Sequence, residues 1–361
     1  MDYYLKHKTT GSCIYNRQQL FSTNFEFKDY EAIWDDRWDS LDWSQEPVET
    51  LSELCKQRAE QLRSQYDHLI LYYSGGRDSE TVLRVFRDNQ IPLDEVVVCR
   101  FIEHPELSLP HVQPVWGNTV TTVNITYKFL LNFHREQNWI TNGFGNSGLL
   151  HAFSRQDLRF WEQHQMIKPK IRKGKVAHVY GEGLPVLEQK DNKWYSYLSS
   201  NSIVMNIYTP LIRDNKEWFF TSANFPKLHA KQSHIALNIL KTLNTRADYE
   251  TFSTTKNKTL GDVIKNALRG VWDSRNDIAE TASTGNLITS LNNKTEHGML
   301  FDFYSKEPEF KDIYINALMK PFAESKTARK IAAYNNQYRD DPTDIRLLYD
   351  KYKKKFYLGD T

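Results

Sequence analysis

Cysteine is scarce in this chain, and the three present, Cys13, Cys55 and Cys99, lie far apart. That excludes a disulfide framework, and with no CxxC pair it argues against zinc or an iron–sulfur cluster. A reducing cytoplasm is the expected setting. Long apolar runs are missing too. No stretch approaches the ~20 apolar residues of a membrane span, and the N-terminal "MDYYLKHKTTGSCIYNRQQ" has no apolar core of signal-peptide length. The expectation is a soluble protein with no membrane partner. Charge of one sign is also lacking: 47 basic against 45 acidic residues leave a formal net charge of +2, so nothing global points to a polyanion such as nucleic acid. No internal repeat or low-complexity tract occurs, although the tail "KYKKKFYLG" is a short basic run that reads as a solvated face.

What is present suffices for a core. At 361 residues and 40% hydrophobic content, the chain can hold one large domain or two ordinary ones. Aromatics at 13% suit either a packed interior or a stacking surface. Residues 1–47 mix short aromatic patterns with turn residues, and "YEAIWDDRWDSLDW" puts Ile33, Trp34, Trp38 and Leu41 at helix-like offsets, an N-terminal extension packed on the main domain. "EPVETLSELCKQRAEQLRSQY" starts after Pro47 and places Val48, Leu51, Leu54, Cys55, Ala59 and Leu62 on one stripe of an amphipathic helix whose charged face is solvated.

The period then changes. "HLILYY" reads as a buried strand, "SETVLRVFRDN" as a helix through Val82, Leu83 and Phe86, and "LDEVVVCRF" as a β-branched strand. This strand–helix–strand unit suits a right-handed parallel crossover. A second unit follows with "NTVTTVNI" as strand and "TYKFLLNFHREQNWI" as helix, another helix through "NSGLLHAFSRQDLRFWEQH", and the strand "KVAHVY" ending in "GEG". "KWYSYLSS" and "EWFFTS" read as short strands near a substrate pocket, and "PKLHAKQSHIALNILKTL" and "LGDVIKNALRGVWD" as helices. Residues 274–299 read as a polar loop between helices, and the C-terminal part as helical.

Chemistry enters at "LILYYSGGRDSETVLRVF", Leu69 to Phe86. A hairpin turn fails at the glycine pair, because the residues after it follow helical spacing rather than alternation. A strand running into a glycine loop and then a helix N-terminus offers unpaired N–H groups and a dipole to an anion. Gly75 and Gly76 let the backbone approach oxygen atoms closely, and Ser74 and Ser79 add hydroxyls. The commoner nucleotide P-loop is excluded, since no Lys follows Gly76. Asp78 instead puts a carboxylate where phosphate would bind, which calls for an intervening cation, magnesium by preference. The bland alternative is that Asp78 and Ser79 cap the helix.

"SGGRDS", Ser74 to Ser79, resembles the SGGxDS signature of the PP-loop ATP pyrophosphatase superfamily, in that family's strand–loop–helix context. The resemblance implies an α/β fold, a parallel sheet with helices on both faces of the HUP (adenine nucleotide alpha-hydrolase-like) kind. It also implies ATP cleaved between the α- and β-phosphates, with transfer of AMP to an acceptor. Arg77 fills the variable position. Ser74, Gly75, Gly76 and Ser79 would hold pyrophosphate oxygens, Asp78 the magnesium, and Phe101 would stack on adenine beside Val98, Cys99 and Arg100, or serve as a core aromatic. Branches needing a zinc-binding cysteine cluster, a C-terminal catalytic cysteine or paired thiolating cysteines do not fit. What is left resembles asparagine synthetase and β-lactam synthetase, in which an amine attacks an adenylated carboxylate.

"VYGEGLPVLE" partly matches the asparagine synthetase GEGxDE loop: Gly181, Glu182 and Gly183 agree, while Leu184 and Pro185 depart from it. Glu182 is therefore a candidate metal ligand or general base, against the alternative of a plain strand-end turn. Position 2 is Asp rather than the nucleophilic Cys of the glutaminase half, so the nitrogen donor would be free ammonia, a substrate amine or ammonia from a separate protein. The chain also looks like stand-alone asparagine-synthetase-like proteins of some bacteriophages, which would put it in a host-cell cytoplasm.

Clamps on the leaving pyrophosphate would come from Lys168, Lys170, Arg172, Lys173, Lys227 or Lys231, and Lys231 is favoured because "AKQSH" opens a helix after Pro226. His229 and His234, five apart, do not align as metal ligands. In "TNGFGNSGLLHAF", Asn146 or Ser147 would cap the following helix or contact substrate, and the cap is favoured.

The expected organisation is an extension over 1–47, a nucleotide-binding domain over 48–240 and a mainly helical region over 241–361. The expected activity is an ATP- and Mg2+-dependent ligase with catalytic Asp78, Lys231 and Glu182, acting on a small-molecule acceptor and an amine donor. Two alternatives stand beside it: modification of a nucleobase, nucleotide or nucleic acid by the same adenylation, and nucleotide binding without turnover.

Overall fold

The computed structural model describes residues 3–14, 27–73, 77–101, 119–126, 129, 158–181, 185–198, 215–242 and 354–360. Its strands are β1 (Tyr3–His7), β2 (Cys13–Ile14), β3 (Tyr30–Trp34), β4 (His68–Tyr73), β5 (Glu95–Phe101), β6 (Thr119–Ile125), β7 (Val176–Tyr180), β8 (Val186–Lys190), β9 (Lys193–Tyr197), β10 (Lys216–Trp218) and β11 (Lys355–Asp360). Four α-helices are described: α1 (Leu51–Gln65), α2 (Arg77–Asp88), α3 (Leu158–Gln163) and α4 (Pro226–Thr242).

The centre is a five-stranded, all-parallel sheet in the order β10-β7-β4-β5-β6. Its inner strands β4, β5 and β7 are mainly apolar runs because both faces are covered. Leu69 and Leu71 point to one face with Val96, Ala177 and Val179, where they meet Leu54, Ala59 and Leu62 of α1, Val82 and Phe86 of α2, and Leu228 of α4. Burying a side chain such as Phe86 contributes roughly 1.5–3 kcal/mol. Tyr72 points to the other face, where its hydroxyl accepts the Leu158 N–H at the start of α3. Helices thus lie on both faces, the general α/β arrangement.

Helix α1 begins later than the hydrophobic stripe suggests. Thr50 and Glu53 form a reciprocal capping box, Thr50 Oγ1 accepting the Glu53 N–H and Glu53 Oε2 accepting the Thr50 N–H, so the helix starts at Leu51 and Val48 is exposed. The helix also buries a residue of its supposedly solvated face. Arg58 is fully enclosed, donating to Glu217 Oε2 at 2.6 Å and to the Trp218 carbonyl at 3.1 Å. The other oxygen of Glu217 accepts the Tyr66 hydroxyl, so α1 is bolted to the edge strand β10.

Two antiparallel sheets flank the centre, β2-β1-β3 and β11-β9-β8. The helix-like offsets of residues 30–41 resolve into β3 and a 3-10 turn over Asp36–Ser40, capped by Asp35, whose carboxylate accepts the Arg37 N–H. Trp38 and Trp43 from this segment pack against Phe356 of β11 and His229 of α4. Strands β8 and β9 form a hairpin through Asp191 and Asn192, both at positive φ, the conformation of a two-residue type I′ turn. "KWYSY" therefore belongs to a separate sheet from "KEW". The described end of the basic tail includes β11, whose Phe356 and Leu358 are buried while Lys355 and Tyr357 keep an exposed face; it is the part of 241–361 beyond α4 that is described. The expected helix in 260–273 and the loop 274–299 lie outside the described residues.

Candidate functional site

From β4 the chain builds outward through β5 and β6, then returns to the opposite side of β4 for β7 and β10. The order reverses between β4 and β7. In open parallel sheets that reversal opens a crevice beyond the carboxyl ends of the two strands, where ligands bind. Tyr72 pairs with Tyr180 in register, so "SGG" follows β4 and "GEG" follows β7 at adjacent strand ends.

The ends of the 74–76 loop are pinned together. Tyr73, the last residue of β4, donates its hydroxyl to Glu80 Oε2 at 2.8 Å, and Arg84 one turn further on donates to Glu80 Oε1 at 2.6 Å. Burial, with the Glu80 carboxylate beside it, raises the Tyr73 phenol well above its ordinary range, so it stays a donor. Glu80 in turn has both oxygens occupied.

Gly181 closes the crevice from the β7 side. A Cβ at this position would lie 2.7 Å from the Asp78 carbonyl oxygen and 2.8 Å from the Ser79 Cα, closer than real side chains approach backbone. The first turn of α2 therefore rests directly on the end of β7, a hundred residues away in sequence. The structure brings these two motifs together through Asp78, Ser79 and Gly181. Asp78 is half-buried in that turn and Ser79 is buried.

Other expected positions fall elsewhere. Ser74, Gly75, Gly76 and Glu182 lie outside the described residues, as do Asn146 and Ser147. The backbone of Phe101 ends β5 opposite Ile125, on the same carboxyl edge of the sheet. The basic run "IKPKIRKGK" precedes β7 and so sits at the opposite, amino edge. There Arg172 grips the buried Glu95 through both carboxylate oxygens, at 2.8 and 3.1 Å, and reaches Glu162 at 2.9 Å, while Lys170 stands 3.8 Å from Glu95. Burial alone would push Glu95 up, but hydrogen bonds from Arg172 and Thr121 and the charges of Arg172 and Lys170 hold it below the usual carboxylate value. Arg172 and Lys170 are thus spent on the fold, not on the crevice.

Lys231 is engaged as well. Its ammonium donates to Glu46 Oε1 at 2.6 Å and to the Pro47 carbonyl at 2.9 Å, tying α4 to the turn before α1, and Lys227 pairs with Glu49 beside it. His229 and His234 diverge: His234 Nε2 meets the Trp43 carbonyl at 2.9 Å, whereas His229 is enclosed among Trp38 and Trp43.

On the face away from α1 and α2, Tyr72, Tyr180 and Trp218 form a row across β4, β7 and β10. Tyr72 and Tyr180 are stacked at 4.6 Å, and Lys216 lies over Trp218. Sequence reasoning missed this row, although "YY", "VY" and "EW" each mark a strand end.

Among the described residues no group of three His, Cys, Asp or Glu side chains converges as a metal cage. Magnesium does not need one, since it is commonly held by one or two carboxylates together with substrate phosphates and water. Asp78, a hard oxygen donor in the first turn of α2, fits that donor set. Among the described residues no helix is long and apolar enough to cross a membrane. Compared with models of known protein families and with curated proteins, the chain matches none.

Proposed function

We propose that the chain is a PP-loop ATP pyrophosphatase of the HUP (adenine nucleotide alpha-hydrolase-like) kind, working as an AMP-forming ligase. The observation that carries the reading is the seating of Gly181 against Asp78 and Ser79. Two sequence features that separately resemble parts of one synthetase site meet at the switch point of a parallel sheet.

In this reading ATP lies across the carboxyl ends of β4 and β7. Ser74, Gly75, Gly76 and Ser79 hold the β- and γ-phosphate oxygens, aided by the positive end of the α2 dipole. Asp78 holds Mg2+, which when bound offsets the charge gathering on the leaving pyrophosphate. An acceptor carboxylate oxygen attacks the α-phosphorus, and the bond to the bridging oxygen breaks to release pyrophosphate. The amine nitrogen of the second substrate then attacks the acyl carbon, loses a proton, and AMP departs with the bonding pair. Glu182, next to Gly181 in sequence, would take that proton or add a second carboxylate to the metal. Phe101 would flank the adenine. Glu80 is excluded from these roles because Tyr73 and Arg84 occupy it.

The test is release of AMP and pyrophosphate from Mg2+·ATP by the full chain, against a panel of carboxylate acceptors with amines or ammonia. Turnover with a carboxylate is the expected outcome, and Asp78→Asn should lower it at least ~100-fold, the scale for loss of a charge-stabilising group. ADP and phosphate as products would overturn the proposal. AMP formation only with nucleobase or RNA acceptors would move the chain to base modification, and nucleotide binding without AMP from any acceptor to a binding role.

A further inference from the structure

We infer that Gly181 is a positioning residue for the triphosphate: the missing side chain at this point sets how low the first turn of α2 sits over the end of β7. The inference rests on the nucleotide reading above. Residues alternate along β7, so Gly181 shares a face with Ala177 and Val179, the face covered by α1 and α2. Its Cβ direction aims at the backbone between Asp78 and Ser79, not at the tip of a flexible side chain. Nothing there can swing aside. An alanine must push the helix start outward by roughly 0.7 Å or more to restore ordinary contact, given that carbon–oxygen contacts below ~3.4 Å are repulsive.

A second contact sets the same turn from its other side. The Tyr73 hydroxyl draws Glu80 toward the end of β4, and Arg84 holds Glu80 in place. The turn is thus located between a steric floor, Gly181, and a polar tie, Tyr73–Glu80. This is the task that a glycine performs in dinucleotide folds by permitting close helix–strand packing. Here a different strand supplies it, at the turn that carries Asp78. None of these residues touches a reacting atom. Their effect on chemistry runs through the height and tilt of α2.

The full chain and its Gly181→Ala and Tyr73→Phe variants can be titrated calorimetrically with Mg2+ and the α,β-methylene analogue of ATP, and with adenosine, alongside thermal melts without ligand. Gly181→Ala should raise Kd for the triphosphate ~10- to 100-fold, since displacements near 1 Å cost up to ~100-fold at a positioned site. Adenosine affinity should be unchanged, and the melt should move by a few degrees only. Tyr73→Phe should raise the triphosphate Kd by about 3- to 10-fold, the scale of one hydrogen bond. A triphosphate Kd for Gly181→Ala equal to that of the unaltered chain overturns the inference, as does an equal loss for adenosine. Should Gly181→Ala not fold, Tyr73→Phe decides by the same criterion. If the unaltered chain binds neither ligand, the nucleotide reading itself falls, and the positioning role with it.

Discussion

The two edges of the parallel sheet are built on different principles. At the amino edge, charge is matched to charge: Glu95 is closed off by Arg172 and Lys170, with the Thr121 hydroxyl donating to it, and Asp94 accepts from Arg63 and from the Leu69 N–H. At the carboxyl edge, between β4 and β7, the decisive contact is backbone on backbone at Gly181, with Asp78 held in the turn above it. The difference is the one expected between an edge that anchors and an edge that receives. Salt bridges at the first let the second keep groups in place that contribute little to stability.

The largest expected effect comes from breaking the anchor. Glu95→Ala leaves Arg172 with Glu162 as its remaining carboxylate partner, so the loss should approach but not exceed the roughly 3–5 kcal/mol of a broken buried pair. Urea unfolding should show that loss, while the fraction that folds should bind nucleotide with unaltered affinity. Weakened binding by folded Glu95→Ala would mean the two edges are not independent.

Next comes a matched pair of glycines. Gly174, at φ +76, stands before β7 as Gly181 stands after it, and a Cβ there would press on the Asp67 carboxylate that accepts the Lys175 N–H. Left-handed strain and this contact add, so Gly174→Ala should reach the upper end of the ~1–3 kcal/mol typical of backbone strain. Melting temperature should fall without any change in triphosphate affinity, the reverse of Gly181→Ala. If Gly174→Ala weakens triphosphate binding as Gly181→Ala does, the contrast between anchoring and receiving edges is lost.

How much of this was legible follows from the range over which each signal acts. Periodicity located β4, α2, β5, β6 and β7 because their apolar residues answer to local geometry. "SGGRDS" stood out as a candidate because strand, loop and helix are consecutive. Gly181 was visible as part of "GEG", but its contact with Asp78 and Ser79 depends on strand order, which no local pattern encodes. Arg58 and Glu217 were invisible as a pair for the same reason, being 159 residues apart. The capping box in "TLSE" was readable and would have placed the start of α1 at Leu51 rather than at Val48. Arg172 stood as one of six possible clamps because charge alone does not say at which edge of the sheet a basic run lies.

Acid offers a subtler way to separate the regions. Burial among Trp38, Trp43 and neighbouring groups pushes His229 down to about 3, the Tyr197 backbone opposing only in part, and neither ring nitrogen has a hydrogen bond of normal geometry among the described residues. A histidine with a depressed folded-state pKa binds fewer protons folded than unfolded, so its contribution is full above pH ~6.5 and is lost as pH falls toward 3. Between pH 7 and 5 the loss should be roughly 2 kcal/mol. Glu95, also depressed, begins to lose its contribution as pH falls through the ordinary carboxylate value and keeps nearly all of it at pH 5. Unfolding midpoints at pH 7 and 5 should therefore converge in His229→Leu, while the anchor at Glu95 is still intact. An undiminished pH slope in that variant would remove His229 as its source.

The smallest effect bears on Lys231, whose motif position suggested a pyrophosphate clamp and whose contacts suggest a tie. Its ammonium uses two donors on Glu46 and Pro47, and its side chain is 13% exposed. Glu46 is correspondingly lowered, burial working against the shift and the Lys231 hydrogen bond and charge overcoming it. A pair of this kind at the surface contributes about 0–1 kcal/mol. Lys231→Met, which keeps the aliphatic stem, should lower stability by no more than that and leave AMP formation within about 3-fold. A clamp acting on the leaving group would instead cost ~100-fold or more in turnover at nearly constant stability. The ratio of those two numbers assigns the residue: a tie belongs with Arg172 and Glu95 among the contacts that hold the fold, and a clamp would add a cation to an edge otherwise defined by glycine and carboxylate.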